Sequence, residues 1–473
     1  MKYHLVGISG IGMSALAILL KGLGHKVSGS TKEKNEICNF LEKEGIEIFF
    51  PHKKENIKKD IDFLVYSTAI KKDHIELKEA KRKNIEILHR SDALKDIINL
   101  HKKNILITGT HGKTTTTSLI SYIFFKANRN FSTYIGGLVP FLNYKNAKLD
   151  KNKNIIISEI DESDKSFLKY SPYFLVITNI DKDHLDFYKN ENDIKNSFLK
   201  VIRKTNTNGK IFLSLKNSFL NKNFLKNIKR KFVYITSYRD YKENESFFKK
   251  LKYLDYVISY EKDKNNLVSI YKNNKKILEF FPTLSGEHNL INASLAIACA
   301  LENKISKKVI KEALETFQNA KRRLEVIYKD LERNIFILDD YAHHPKELEA
   351  VILALKEKYP NKNIILIFQP HRYSRFYKLY EEFKKVLKKY KNEINIFLTP
   401  IFPAGEENIY KVDIFKLAKD LNLKVIDYLK DPENIRNIPI FSNSVYITVG
   451  AGNIYQLAYK LRDYLKKILP KKN

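Results

Sequence analysis

The sequence predicts an α/β protein with three domains, each built around a sheet that carries helices on its faces. Three observations lead to this prediction. The chain has 473 residues, enough for about three domains of ordinary size, each with its own core. Short apolar runs alternate with longer helical stretches, as in doubly wound sheets. Glycine-rich or polar motifs follow the strands, at the sheet edge where such folds bind ligands.

The first predicted domain, residues 1–99, is a Rossmann-like parallel sheet. Strand His4–Val6 leads into the loop Gly7-Ile8-Ser9-Gly10-Ile11-Gly12 and a helix over Met13–Gly22. A complete G-x-G-x-x-G would indicate a nicotinamide dinucleotide, but Ser9 replaces the middle glycine. No acid follows the second strand, Lys26–Ser28, to bind a ribose hydroxyl, so a dehydrogenase is disfavoured. The loop can still hold a diphosphate at the helix N-terminus, which suits a nucleotide sugar.

The second predicted domain, residues 100–319, is a P-loop ATPase-like mixed sheet. Strand Asn104–Thr108 runs into a phosphate loop and then a helix over Thr114–Phe125. In such a loop the backbone N–H groups converge on phosphate oxygens, Lys113 adds a point charge and Thr114 offers a hydroxyl to Mg²⁺. The pattern departs from GxxxxGK[ST] because its glycines are closer together. Nucleoside triphosphate binding is favoured over a simple glycine turn, with the loop residues Gly109, Thr110, His111, Gly112, Lys113, Thr114 and Thr115.

Two acidic motifs follow the next buried strands of this domain. Residues 159–164 leave strand Ile155–Ser158, and residues 179–186 leave strand Phe174–Thr178. Carboxylates and an imidazole at this edge are placed to hold metal ions against a triphosphate. Most of these acids are equally compatible with loop solvation or helix capping, so Glu159 and His184, nearest the strand ends, are the predicted ligands. Residues 253–281 are predicted as a three-stranded meander with breaks at Lys262–Asn266 and Lys272–Lys276, where Asn and Lys cluster. Asn143–Asn154 is predicted as a solvated loop.

The third predicted domain, residues 320–473, is a second Rossmann-like sheet. Its strands and helices alternate, with one helix predicted over Phe376–Tyr390, and polar motifs follow the strands at residues 339–345, 369–375 and 450–453. A lone His-His pair is more often incidental than functional, but two charged clusters after neighbouring strands favour a ligand site. Arg372 and Arg375 could each make bidentate contacts to a carboxylate. The basic run 321–323 could bring a cation to a γ-phosphate.

The composition is strongly basic, with 85 Lys and Arg against 54 Asp and Glu and a formal charge of +31. A basic surface is one sign of nucleic-acid binding. Here the lysines are scattered along the chain, and Lys, Asn, Ile, Phe and Tyr are all frequent, as an AT-rich coding bias would produce. No nucleic-acid partner is therefore predicted. Cys38 and Cys299 form no disulfide or zinc pattern. No apolar run is long enough for a membrane span, and a soluble cytoplasmic protein is expected.

Taken together, these motifs resemble the Mur ligase family over nearly the whole chain. The matching segments are, in order, GISGIGMSALA, GTHGKTTTT, EIDESDKSFL, TNIDKDHLDFY, GEHNLINA, AKRRLE, DDYAHHP, FQPHRYSR, PAGE and GAGN. Within the family, the first and the FQPHRYSR segments are most similar to the member that adds alanine. Three features depart from the usual family pattern: Ser9 replaces Gly, Thr31 replaces Asp, and residues 150–153 lack the glycines often found before the acidic motif.

The resemblance implies an ATP-dependent carbon–nitrogen ligase of peptidoglycan precursor synthesis. Its substrates would be UDP-N-acetylmuramate and L-alanine, joined through an acyl phosphate at the lactoyl carboxylate, with ATP and Mg²⁺ as cofactors. Closure of the third domain over the second is expected to exclude water. A monomer or weak homodimer is expected, without membrane insertion.

The resemblance also implies roles for individual residues. Residues 109–115 would bind ATP, with Asn289 at the adenine, Arg323 at the phosphates and Asp340 at the ribose. Thr114, Glu159 and His184 would bind the metal. The residues for the sugar nucleotide are Ser9, Gly10, Ile11, Gly12, Met13, Ser14 and Ser67, and those for the reacting groups are Tyr341, His343, Arg372 and Arg375. The implied catalytic set is Lys113, His184, Arg323, His343 and Arg372, with His343 or His184 as a proton acceptor.

Three alternatives stay open on the sequence. A muropeptide-recycling ligase would act on the same sugar nucleotide but accept a tripeptide, and is expected to differ around residues 369–375. A basic nucleic-acid-binding P-loop ATPase would respond to DNA or RNA and not to the sugar nucleotide. A decayed enzyme kept for a structural role is disfavoured by the intact Lys113, Glu159, His184 and Arg372.

Overall fold

The computed structural model describes residues 1–181, 187–188, 190–214, 229–428 and 430–469. The chain separates into two compact units. The first contains Met1–Thr283 and Asn289–Ala320, and the second contains Leu284–His288 and Lys321–Asn473. The predicted α/β class is confirmed, with an N-terminal parallel sheet, a central mixed sheet and a C-terminal mixed sheet. The three-domain boundaries given above stay a prediction.

The first unit opens with a five-stranded parallel sheet in the order β3-β2-β1-β4-β5. The chain order reverses between β1 and β4, and such a switch point opens a crevice at the strands' carboxyl ends. The strands are β1 (Lys2–Val6), β2 (Lys26–Ser30), β3 (Glu47–Phe49), β4 (Phe63–Tyr66) and β5 (Glu86–His89), and the helices are α1 (Ile11–Gly22), α2 (Glu36–Lys43), α3 (Ile75–Arg82) and α4 (Arg90–Asn99).

A ten-stranded sheet follows in the same unit, in the order β15-β14-β13-β12-β11-β10-β6-β9-β7-β8. Its strands are β6 (Lys103–Thr108), β7 (Ser132–Val139), β8 (Lys145–Lys148), β9 (Ile155–Glu159), β10 (Phe174–Ile177), β11 (Lys210–Ser214), β12 (Phe232–Ser237), β13 (Leu254–Lys262), β14 (Val268–Lys272) and β15 (Lys275–Phe280). The last three form the predicted meander: β13 pairs parallel with β12, and β14 and β15 extend the sheet by antiparallel pairing. Since β6 lies between β9 and β10, its loop meets both acidic motifs.

The helices of this part are α5 (Lys113–Lys126), α6 (Glu191–Lys204), α7 (Tyr238–Glu243), α8 (Glu245–Lys249), α9 (Glu287–Glu302) and α10 (Lys307–Thr316). α6 is amphipathic: Ile194, Phe198 and Val201 recur at helical spacing and are buried. Asn190 begins it as an N-cap that accepts from the N–H of Asp193.

The prediction that Asn143–Asn154 is a solvated loop is wrong for part of that segment. Lys145–Lys148 forms β8, which pairs antiparallel with β7. Asn146 is fully buried and donates to the carbonyl of Ile11 at 2.6 Å and to Ser14 Oγ at 3.0 Å. Lysines hid this strand, because their long stems can lie along a sheet while the charged ends reach water.

The second unit contains a six-stranded sheet in the order β16-β17-β21-β18-β19-β20, parallel except for β16. The strands are β16 (Glu325–Asp330), β17 (Ile335–Asp340), β18 (Asn363–Phe368), β19 (Asn395–Leu398), β20 (Lys424–Val425) and β21 (Ser444–Val449). The helices are α11 (Pro345–Lys358), α12 (Tyr373–Lys378), α13 (Tyr380–Tyr390), α14 (Ile414–Leu421) and α15 (Tyr455–Ile468). A single helix predicted over 376–390 is therefore wrong, since the backbone at Leu379 leaves the helical region between α12 and α13.

Among the described residues, no helix combines the length and the apolar character needed to cross a membrane.

Candidate active site

The predicted phosphate loop leaves β6 and ends at the first turn of α5, as the sequence indicated. Gly112 is the N-terminal cap of α5, and no side chain caps the helix, so the N–H groups of its first turn face the loop. Thr114 and Thr115 are buried at the helix start. A phosphate group bound here would meet the positive end of the helix dipole.

Lys113 is held at the mouth of this loop by buried acceptors. Its Nζ donates to the carbonyl of Gly109 at 2.6 Å and to the two carboxylate oxygens of Glu162 at 2.8 and 3.0 Å. Burial alone would lower the pKa of Lys113, but Glu162 and Asp161 raise it above its ordinary value. The lysine therefore remains a cation, ready to meet an anionic ligand.

Residues of the second acidic motif hold the phosphate loop in place through hydrogen bonds. The amide of Asn179 receives a hydrogen bond from His111 N and donates one to His111 O, both at 2.8 Å. Thr110 Oγ1 accepts from the N–H of Asp181 at 2.9 Å. The sequence assigned this motif only to metal binding, so Asn179 was missed, although its position directly after a strand beside β6 was a usable signal.

A candidate metal position lies between Thr114 and Glu159. Thr114 Oγ1 and Glu159 Oε2 are 3.3 Å apart, and the other carboxylate oxygen accepts from the N–H of Gly136 at 2.7 Å. A Cβ on Gly136 would lie 2.6 Å from Glu159 Oε2 and 3.0 Å from Thr114 Oγ1, so glycine keeps this space open. A hydroxyl and a carboxylate are ligands that Mg²⁺ prefers, and the arrangement fits it. The third predicted ligand, His184, lies outside the described residues.

We predict that Gly136→Ala raises the Mg²⁺ concentration needed for half-maximal activity by about 10-fold, because the new methyl group crowds both ligand oxygens. The backbone of Gly136 has an ordinary φ, so the melting temperature should change by only about 2 °C. Magnesium titration of ADP release and thermal unfolding measure the two effects. An unchanged Mg²⁺ requirement would mean that the metal lies elsewhere.

The N-terminal glycine loop is built as the sequence predicted, between β1 and α1. The N–H groups of Gly7 and Ile8 donate to the carbonyl of Ser30 at 2.9 and 3.0 Å, which ties the loop to β2. Two of the three departures from the family pattern contact each other, since Ser9 Oγ and Thr31 Oγ1 are 2.6 Å apart. Ile11 is exposed, whereas the side chains of Met13 and Ser14 are buried.

Other residues assigned to the sugar nucleotide surround the same switch point. Ser67 follows β4, the neighbour of β1, and its carbonyl accepts from the N–H of Ile70 at 2.9 Å in a tight turn. Gly10 is exposed and precedes α1. The residues assigned to this ligand thus lie on the loop after β1, on the first turn of α1 and on the loop after β4, and their role stays a prediction.

In the second unit, the loops after β17 and β18 and the first turn of α12 bring four side chains together. Three of them, Tyr341, His343 and Arg375, were assigned to the reacting groups, and the fourth is His371. The rings of Tyr341 and His343 meet edge to face at 5.6 Å, and His343 lies 5.9 Å from His371. Arg375 Nη1 lies 3.3 Å from His371 Nδ1. Burial lowers the pKa of His371 to about 3, helped by His343 and Arg375, so this ring is neutral.

His344, the second histidine of the pair, has a structural role. Its side chain accepts from the N–H of Lys346 and caps α11, and Glu347 completes the capping box. The structure therefore separates the two histidines, with only His343 in the cluster near His371.

Glu406, on the loop after β19, holds Arg372 and was missed in the sequence. Arg372 Nε lies 2.8 Å from Glu406 Oε1, and the Ser374 hydroxyl donates to the same oxygen at 2.7 Å. The backbone N–H of Ser374 donates to the other oxygen at 3.0 Å. Because Glu406 takes the Nε side of the guanidinium, the two Nη groups are left to bind a carboxylate. The PAGE segment was the only signal for this residue.

We predict that Glu406→Gln raises the KM for the amino-acid substrate about 10-fold with a smaller effect on kcat, because Arg372 loses its charge-assisted partner. The KM values for ATP and the sugar nucleotide should stay unchanged. Glu407→Gln, an exposed neighbour, is the matched control. Tighter binding of the amino acid by the variant would instead show that Glu406 only offsets positive charge.

Asp340 and the Arg322-Arg323 pair organise the start of the second unit. Asp340 accepts from the N–H groups of Leu324 and Ala342, both at 2.8 Å, and burial raises its pKa to about 6. Arg322 binds the buried Asp339 at 2.8 Å and stacks on Tyr341. The sequence indicated the run 321–323 as a source of a cation and assigned Arg323 to phosphate, whereas in the structure Arg322 binds Asp339 and fixes this turn.

Asn289, assigned to adenine, is buried in α9 of the first unit, and its Oδ1 accepts from Asn292 Nδ2 at 3.3 Å. Asn292 reaches the phosphate loop, because a Cβ on Gly112 would lie 2.8 Å from its Oδ1. The helix beginning GEHNLINA thus connects the assigned adenine position with the loop, although Asn292 was not predicted.

Comparisons with known proteins point to the same family along nearly the whole chain. Sequence models of the Mur ligase family match as its catalytic domain over residues 2–102, its middle domain over 107–300 and its glutamate ligase domain over 322–435. A UDP-N-acetylmuramate–L-alanine ligase from Aquifex aeolicus is 37% identical and covers 99% of this chain and 98% of its own.

Two solved structures agree with the fold. The UDP-N-acetylmuramate-alanine ligase of Thermotoga maritima has a TM-score of 0.80 at 28% identity and covers 99% of this chain and 100% of its own. A murein peptide ligase from Psychrobacter arcticus has a TM-score of 0.71 at 21% identity, covers both chains fully and supports the fold alone. With these matches and the loop geometry described above, the chain belongs to the Mur ligase family of ATP-dependent amide-bond-forming ligases.

Proposed function

We propose that the protein joins L-alanine to the lactoyl carboxylate of UDP-N-acetylmuramate, with cleavage of ATP to ADP and phosphate. The observation that carries this proposal is the meeting of Lys113, Thr114 and Glu159 at one edge of the central sheet, beside the phosphate loop. The relatives named for this reaction, identical at about one residue in three over the full chain, support the choice of substrates.

The first chemical problem is repulsion between a carboxylate and a triphosphate. Lys113 offers its charge and the loop N–H groups offer hydrogen bonds to the phosphates, and Arg323 is assigned to the γ-phosphate. Thr114 and Glu159, with His184, would hold Mg²⁺. A bound Mg²⁺ would neutralise phosphate charge and orient the oxygens. Asn289 and Asp340 are assigned to adenine and ribose.

In the proposed reaction, a lactoyl carboxylate oxygen attacks the γ-phosphorus and the bond to the β-phosphate oxygen breaks, which gives an acyl phosphate and ADP. The alanine nitrogen then attacks the acyl carbon, phosphate leaves and the nitrogen loses a proton. Arg372 and Arg375 would bind the alanine carboxylate and aim the amine. His343, whose Nδ1 lies 3.0 Å from the carbonyl of Tyr341, is a candidate proton acceptor.

The deciding experiment measures ADP release and product mass from ATP, UDP-N-acetylmuramate and a mixture of amino acids. ADP release should require both the sugar nucleotide and L-alanine, and the product should have the mass of the alanyl conjugate. A second reaction offers the tripeptide in place of L-alanine, and a third adds DNA or RNA without the sugar nucleotide.

Each outcome decides between functions. A preference for the tripeptide would favour the recycling ligase. Stimulation by nucleic acid without any response to the sugar nucleotide would favour the ATPase. Release of ADP that depends on neither acceptor nor sugar nucleotide would overturn the assignment.

A further inference from the structure

Arg90 lies between the N-terminal glycine loop and the first acidic motif, both within the first unit. It is the first residue of α4. Its Nη1 donates to the hydroxyl of Tyr134 at 3.3 Å, and its Nη2 lies 3.4 Å from Asp161 Oδ2. Only 19% of the side chain is exposed. This arginine lies outside all the sequence motifs described above.

The guanidinium rests directly on the glycine loop. A Cβ on Gly12 would overlap Arg90 Nη1 and would lie 2.7 Å from the hydroxyl of Tyr134. That hydroxyl in turn donates to the carbonyl of Gly12 at 3.0 Å. Glycine at this position is therefore required for the close approach of an arginine to the first turn of α1.

The loop itself holds no cation. Residues 7–14 contain neither Lys nor Arg, and the N-terminal cap of α1, Gly10, has no side chain to satisfy the helix N–H groups. Amide N–H groups at a helix N-terminus attract an anion. A diphosphate bound there would lie beside Arg90, a cationic side chain placed against the first turn of α1.

Contacts other than those of Arg90 tie α4 to the residues that follow the acidic motif. Lys169 Nζ binds both carboxylate oxygens of Asp92 at 2.7 and 2.8 Å, and Tyr170 donates to the carbonyl of Ser91 at 3.2 Å. The two contacts of Arg90 are longer, and most of its N–H donors have no acceptor among the described residues. Its remaining N–H donors can therefore bind the oxygen atoms of a ligand.

On the basis of the proposed function, we propose that Arg90 is a further substrate-binding residue that binds the diphosphate of the sugar nucleotide. The planar fork of an arginine suits two phosphate oxygens, and the contact with Asp161 keeps it oriented toward the loop. The diphosphate would then be bound from one side by the N–H groups of α1 and from the other by the guanidinium of α4.

Calorimetric titration of the full-length protein with UDP, without ATP or amino acid, tests this role. Arg90→Gln should weaken UDP binding about 10- to 100-fold, because the variant cannot make charge-assisted hydrogen bonds to the diphosphate. Arg90→Lys keeps the charge without the fork and should lose about 3- to 10-fold. Uridine, which has no phosphate, should bind both variants within about 2-fold of the native protein. Lys169→Met is the matched control, because it breaks the neighbouring ion pair and leaves the loop untouched.

The outcomes separate this proposal from the one it rests on. Unchanged UDP affinity in Arg90→Gln, or an equal loss for uridine and UDP, would overturn the role of Arg90 while the ligase assignment stands. A loss of UDP affinity in Lys169→Met as large as in Arg90→Gln would also overturn it, since the effect would then come from the packing of α4. If the native protein bound no UDP, the sugar-nucleotide assignment itself would fall.

Discussion

Lys113→Met is expected to lower kcat about 1000-fold or more, because the variant loses the cation that meets the triphosphate as charge moves during phosphoryl transfer. Methionine keeps most of the apolar stem, so the loop should retain its shape. The variant also leaves Glu162, whose side chain is only 3% exposed, without its cation, so some loss of stability is expected. ADP release under saturating substrates measures the first effect, and thermal unfolding measures the second.

Lys126→Met is the matched control for this experiment. Lys126 is the last residue of the same helix, α5, and its ion pair is with Glu312 on the protein surface, far along the helix from the phosphate loop. Its activity should stay within about 2-fold of the native protein, since surface pairs contribute little. If Lys113→Met retained a tenth or more of the native kcat, the lysine would not be the phosphate ligand proposed here.

Glu159→Gln is expected to give the second largest loss, about 100-fold in kcat with a strongly raised Mg²⁺ requirement. The amide has the shape of the carboxylate and can still accept from the N–H of Gly136, so the fold should be kept. It has no negative charge for a divalent cation, and a neutral amide oxygen is a weaker ligand than a carboxylate. Activity as a function of Mg²⁺ concentration measures the effect.

Glu243→Gln makes the same chemical change at a surface position, where the carboxylate only pairs with Arg239 one turn earlier on α7. It should leave the Mg²⁺ titration unchanged. An identical titration curve for Glu159→Gln and the native protein would remove Glu159 from the metal site and leave Thr114 without a carboxylate partner there.

Much of the fold was predictable because its signals are local. The meander at β13–β15 follows from short apolar stretches separated by Asn and Lys clusters, and each structural turn falls inside a predicted break. The strand β8 was not predicted, because its sequence KNAK is typical of a Lys- and Asn-rich loop and its two central residues are both buried, without the alternation that marks a strand. The break between α12 and α13 was also lost, since no Pro or Gly marks Leu379.

The sequence by itself determined the α/β class, the phosphate loop and the order of the motifs, because a strand, a short loop and a helix start are read from consecutive residues. Only the tertiary structure decided which side chains meet. Glu406 reaches Arg372 from the loop after the neighbouring strand, and Asn179 clamps a loop 68 residues earlier. Arg90 reaches Asp161 across 71 residues. Such pairs depend on which strands become neighbours in a sheet. The separation of two residues along the chain does not reveal which strands these are.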